Sequence, residues 1–239
     1  EREGYNVRVI AVFNGDGPDR NYHDREGYEL LTPNRAVIID LAYETLAPAL
    51  VPGLVDLWVF NRGTPAHEGG SSELMELLAE RVSRDAVLWR PDEQSTYSHY
   101  WPMLEVQGVP ILFGHHPPAR SMLYHTRRNA AARTATHLWS GYNMPVIRMN
   151  GPVTYERQPF PLLAMFGHVH YYADSGSDAV NPIRVVYAPS WQLPYSFIHR
   201  IGRGMIPNEI GAVWVRCHAG EYELMPWLHT PQVDGAVKV

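Results

Sequence analysis

With one cysteine in 239 residues, the chain cannot form an internal disulfide, so Cys217 stands alone and packing must supply the stability. That usage fits a reducing compartment, and the expected location is cytoplasmic. No apolar run approaches the ~20 residues needed to cross a bilayer. Nothing near Glu1 has the charged-then-apolar layout of a signal peptide, so no membrane partner is expected. Positive charge is also scarce, and a formal net charge of −5 argues against a surface built to coat nucleic acid. A local basic patch at a phosphate site is the one nucleic-acid reading left, and it is not the favoured one. Internal repeats and low-complexity segments are missing too. The chain starts at Glu1 instead of methionine, and we expect a processed or truncated piece.

What is present is a repeated pattern of apolar run, glycine and ligand-type residue. Residues 7–13 are β-branched and apolar with little alternation, the pattern of a strand buried on both faces. This run ends in Asn14-Gly15-Asp16-Gly17-Pro18-Asp19. Asp16 fits equally a turn, since Asn-Gly and Asp-Gly pairs form turns, and a ligand at the end of a strand where open α/β sheets bind ligands. A helical apolar spacing over residues 33–47 ends before Pro48. A second strand at residues 55–60 then leads into Asn61-Arg62-Gly63-Thr64-Pro65-Ala66-His67-Glu68.

Ser71 or Ser72 caps an expected helix over residues 73–82, and residues 85–89 read as a short strand. The segment 91–108 is rich in Tyr, Ser and Trp, with an edge strand near residues 103–106; its His99 is read as a packed or exposed histidine. A third strand at 109–113 runs into Gly114-His115-His116-Pro117-Pro118, where the prolines place the histidines in a loop. A helix is expected over 126–139, and its Arg127, Arg128 and Arg133 are read as solvated charges. Residues 141–159 and 171–181 read as loops. Between them, Leu162 to Phe166 lead into Gly167-His168-Val169-His170. In an extended segment i and i+2 share a side, so His168 and His170 can face one point. A strand at 183–187, a hairpin around Ala219-Gly220 and a surface tail after Pro226 complete the chain. Alternating strands and helices over this length give an α/β fold in a single domain spanning residues 1–239.

Four strands thus end in glycine followed by an oxygen or imidazole donor. Mixed Asp and His ligands suit borderline ions such as zinc, manganese or iron. In order and spacing, Gly15-Asp16-Gly17-Pro18-Asp19, Gly114-His115-His116-Pro117 and Gly167-His168-Val169-His170 resemble motifs of the calcineurin-like metallophosphoesterases. Arg62-Gly63-Thr64-Pro65-Ala66-His67-Glu68-Gly69 and Pro189-Ser190-Trp191-Gln192-Leu193 resemble a branch met in phage and prophage genomes.

The resemblance implies two packed mixed β-sheets flanked by helices and a centre of two divalent metal ions (Mn, Fe or Zn). Asp16 would bridge the ions. His115 and His168 would bind the second ion and His170 the first, with Thr64 or Asn61 standing in for the family's asparagine. His67 would contact the phosphate and protonate the leaving group. The implied activity is hydrolysis of a phosphodiester or phosphomonoester by metal-bound hydroxide. No Asp-x-His, the family's first motif, occurs in the chain. The implied partners are therefore a phosphoester substrate and an upstream segment or second chain that completes the site. The competing reading is a non-catalytic structural or binding module of a phage-related assembly.

Overall fold

The structure, a computed structural model, describes residues 7–18, 32–92, 94–121, 123–143, 161–177, 181–191 and 209–230. Asp19 of the Gly15-Asp16-Gly17-Pro18-Asp19 motif, Gln192-Leu193 and most of the expected loop at 141–159 lie outside the described residues. The chain divides into two compact units. One takes the described residues up to Pro102 together with Gly114–His116; the other takes Met103–Phe113 and those from Pro117 onward.

In the first unit a parallel sheet has the order β1 (Ile10–Asn14), β2 (Leu57–Asn61), β3 (Ser98–His99). β1 is partly exposed along its whole length, whereas β2 is buried from Trp58 onward, so the two-faced burial expected for the first strand belongs to the second. Between them α1 (Arg35–Leu46) is capped by Asn34, whose side chain accepts the Ala36 N–H at 3.0 Å. Pro48 lies in the 3₁₀ turn Ala47–Ala49 that follows. α2 (Pro65–Glu68) is one turn long. α3 (Glu73–Val82) buries Leu74, Met75, Leu78, Ala79 and Val82, the stripe that i, i+3, i+4 spacing produces. That stripe packs with Ile38, Ile39, Trp58 and Phe60 into one apolar core. Residues 85–89 do not form a strand; a single bridge joins Leu88 to Trp58.

The second unit holds a mixed sheet in the order β4 (Met103–Val106), β5 (Val109–Gly114), β6 (Leu163–Phe166), β8 (Arg184–Tyr187), β7 (Ala173–Asp174). β4 is an edge, as its sequence suggests. β7 was not expected, because two residues carry no readable alternation; Asp174 is held there by Arg184 on the neighbouring strand. α4 (Arg127–Asn143) sets Ala130, Ala131 and Ala135 against Ala164, Phe166, Val185 and Tyr187. Small residues on that face let the helix lie close to the sheet.

β9 (Ile210–His218) and β10 (Glu221–His229) form the hairpin expected around Ala219-Gly220, whose φ values of 50° and 84° are those of a type I′ turn. β10 continues through Pro226 to His229; these residues are exposed, as expected for the chain after Pro226, but they lie in a strand. A proline is tolerated there because a two-stranded sheet consists of edges. Parallel and mixed sheets flanked by helices make the chain α/β, as the sequence implies. No helix among the described residues is long and apolar enough to cross a membrane.

Candidate metal centre

The site in the first unit begins with register. β1 and β2 are parallel neighbours with Asn14 opposite Asn61, and Asn61 Nδ2 donates to Asn14 Oδ1 at 2.6 Å, so both chains leave the sheet side by side. Glycine is required next. Gly15 has φ 82°, and a Cβ there would fall 2.8 Å from Gly63 Cα and inside the His115 ring. A Cβ on Gly63 would collide with Asp16 and Glu68.

Asp16 follows with φ 54°, a left-handed conformation uncommon outside glycine. Its two carboxylate oxygens face different groups. Oδ1 accepts the Thr64 backbone N–H at 2.6 Å and the Thr64 hydroxyl at 2.9 Å. Oδ2 lies 2.7 Å from His115 Nε2. Thr64 is also the N-cap of α2, with Pro65 in the first helical position. His67 sits in that single turn, its N–H directed at Thr64 and its side chain partly exposed.

Beneath Asp16 lies a residue to which sequence reading gave no role. Glu68 has no exposed surface, and its two oxygens accept the Asp16 N–H at 2.6 Å and the Gly63 N–H at 2.8 Å. Burial pushes its pKa up to about 7, against the pull of the Gly63 N–H. The signals in the sequence were its place beside His67 and within the motif at residues 62–69.

His115 is buried, and its Nδ1 lies 2.7 Å from the carbonyl oxygen of Asn14. A carbonyl can only accept, so Nδ1 carries the proton and Nε2 presents a lone pair when the ring is neutral. Burial works to lower its pKa, but the Asp16 carboxylate outweighs it and holds the ring above its ordinary value. His116 is exposed and meets the His115 ring edge-on at 5.3 Å.

This donor set fits a divalent cation. An imidazole whose second nitrogen is tied to a carbonyl, beside a carboxylate oxygen, is how zinc and similar ions are commonly held. Two ligands at ~2.1 Å from one tetrahedral ion are roughly 3.4 Å apart. The 2.7 Å between Nε2 and Oδ2 is shorter than that, the length of a charge-assisted hydrogen bond in the metal-free pair, so an ion would part the two atoms by roughly 0.7 Å.

In the second unit β6 ends at Phe166, and His168 and His170 follow with φ values of 65° and 56°. The extended segment expected for this motif is therefore absent: two left-handed residues flank Val169, which is 5% exposed and anchors the turn in the core. Both histidines are partly exposed. Arg120 donates to His168 Nε2 at 3.1 Å. Among the described residues, Asp16, His168 and His170 are three of the six non-glycine residues at positive φ. Such backbone costs about 1–3 kcal/mol each and clusters at functional positions. The structure thus brings Asp16, Thr64, His115 and Glu68 together in the first unit, with His67 on the adjoining turn; His168 and His170 belong to the second.

No family model and no curated protein sequence matches the chain. Among solved structures it is similar to Vps29 from Entamoeba histolytica crystallised with zinc, at 11% identity and a TM-score of 0.39, covering 81% of this chain and 84% of that one. It is also similar to Vacuolar Protein Sorting 29 from Cryptosporidium parvum, at 8% identity and a TM-score of 0.39, covering 94% and 98%.

Proposed function

We propose that this chain is a metal-dependent phosphoester hydrolase. The observation that carries the reading is the Asp16–His115 pair: donor atoms 2.7 Å apart, with the far ring nitrogen tied to Asn14. Asp16 Oδ2 and His115 Nε2 are its first two ligands. His168 and His170 of the second unit are further candidate donors; the order of motifs along the chain and their left-handed backbone support that role.

A divalent ion bound there supplies Lewis-acid activation of the phosphoester. The chain's own residues do the rest. Glu68 and Thr64 hold Asp16, and Asn14 holds His115 in the tautomer that binds through Nε2. His67 is the candidate proton donor to the leaving oxygen, and the exposed Arg120 guanidinium, beside His168 in the second unit, is a candidate contact for a phosphate. Asp16 Oδ1 accepts both the N–H and the hydroxyl of Thr64, so these two residues would hold a second ion only if the Thr64 hydroxyl turned from donor to ligand.

Elemental analysis of purified protein, with turnover of bis-(p-nitrophenyl) phosphate and p-nitrophenyl phosphate, tests the reading. Bound Mn, Fe or Zn with hydrolysis of either ester supports it; a metal-loaded protein that cleaves neither overturns it.

A non-catalytic binding module is the second reading. It draws on Trp191, Trp214 and Trp227, all more than half exposed, with Trp191 and Trp227 stacked at 5.7 Å. Protein that holds no metal and cleaves no ester would favour it.

A further inference from the structure

Glu68 is the one carboxylate among the described residues that is completely buried, and it spends both oxygens on backbone N–H groups. The two N–H groups come from different loops: Asp16 follows β1 and Gly63 follows β2. No other side chain type does this as well. A glutamine offers one acceptor oxygen and would aim an NH₂ at the second N–H, donor against donor. An aspartate keeps both acceptors on a shorter stem.

The clamp acts where the backbone most needs it. Asp16 is left-handed at φ 54°, and the Gly63 backbone lies so close that no Cβ fits between the loops. Held this way, the Asp16 side chain reaches Thr64 with one oxygen and His115 with the other.

We propose that Glu68 is the positioning residue of the metal centre: by accepting the N–H groups of Asp16 and Gly63 it locks two strand-end loops together and aims Asp16 at the ion. The inference rests on the reading that Asp16 and His115 bind metal, but not on turnover.

The test compares the full chain with Glu68→Gln, Glu68→Asp and Glu76→Gln. Glu76 is a useful control because it too accepts backbone N–H groups, from Tyr97 and Ser98, in the same unit. Zn²⁺ affinity is measured by titration calorimetry, with circular dichroism and melting temperature recorded in chelator. Loss of a residue that orients a ligand typically weakens metal binding 10–100-fold. Glu68→Gln is expected to lose affinity by about that factor and Glu68→Asp to recover part of it. Glu76→Gln should melt earlier yet bind within about twofold of the parent.

A folded Glu68→Gln that binds Zn²⁺ as tightly as the parent overturns the proposal. If that variant does not fold, parental affinity in Glu68→Asp at a lowered melting temperature overturns it equally, and weakened affinity supports it. A parent chain that binds no Zn²⁺ overturns it as well. A parent that binds Zn²⁺ but cleaves no ester removes the hydrolase reading and leaves the role of Glu68 standing.

Discussion

The imidazole of His115 and the carboxylate of Asp16 face each other at 2.7 Å, both largely buried, at the ends of strands far apart in sequence. Each group is positioned by hydrogen bonds that leave these two atoms directed at one point.

Removing either partner should therefore remove the metal. Asp16→Asn keeps the shape but loses the charge, and His115→Ala loses the nitrogen. Either change is expected to weaken Zn²⁺ or Mn²⁺ binding by more than the 10–100-fold typical of an outer-shell residue. Titration against each ion gives the answer, and parental affinity in both variants would contradict the site.

Thr64 serves twice, as the cap of α2 and as a hydroxyl donor to Asp16. Thr64→Val keeps the volume and deletes both interactions. A loss of about 1–3 kcal/mol in urea unfolding is expected in metal-free protein. Metal stoichiometry is the second readout: if Thr64 is a ligand of a second ion, the variant should hold one ion fewer per chain.

The ion pair of Asp174 and Arg184 makes a pH-dependent contribution to the second unit. Burial pushes the Asp174 carboxyl up, but Arg184, with Nε at 2.9 Å, and the Gly176 N–H hold it below its ordinary value. A carboxyl depressed on folding stabilises fully above its unfolded pKa of about 4 and loses that effect as pH falls through the folded value. Asp174→Asn should be less stable than the parent by about 1–2 kcal/mol at pH 7. The two unfolding curves should converge below about pH 3; a gap that persists there would show that packing, not charge, is responsible.

Arg120 is exposed and bonds His168 Nε2 at 3.1 Å, so its guanidinium stands at a candidate ligand with donors to spare. Arg120→Ala should weaken competitive inhibition by inorganic phosphate roughly tenfold, the worth of one charge-assisted hydrogen bond. Its melting temperature should barely move. An unchanged inhibition constant would remove Arg120 from the substrate site.

Local patterns in the sequence carried much of the fold. The apolar spacing of Leu74, Met75, Leu78 and Val82 marks α3 at its observed bounds, and Ala219-Gly220 marks the closing turn. The strand-glycine-ligand order likewise pointed to Asp16 and His115. Long-range relations were not readable. Glu68 looks like any acidic helix residue until β1 and β2 are paired, and β7 is visible only once Ala173 and Asp174 lie beside Tyr187 and Val186 of β8. The alternation rule misjudged His168 and His170 because it assumes an extended chain, whereas Gly167 and a buried Val169 turn the backbone after β6.

Nature's choice at His168 and His170 runs against simple thermotolerance. Glycine would relax the backbone at 168 and 170 by on the order of 1 kcal/mol each. Directed evolution of this chain under heat alone would be expected to drift toward glycine there, discarding imidazoles in exchange for a tougher fold. Heat-selected libraries would in that way reveal which residues the chain keeps at its own expense.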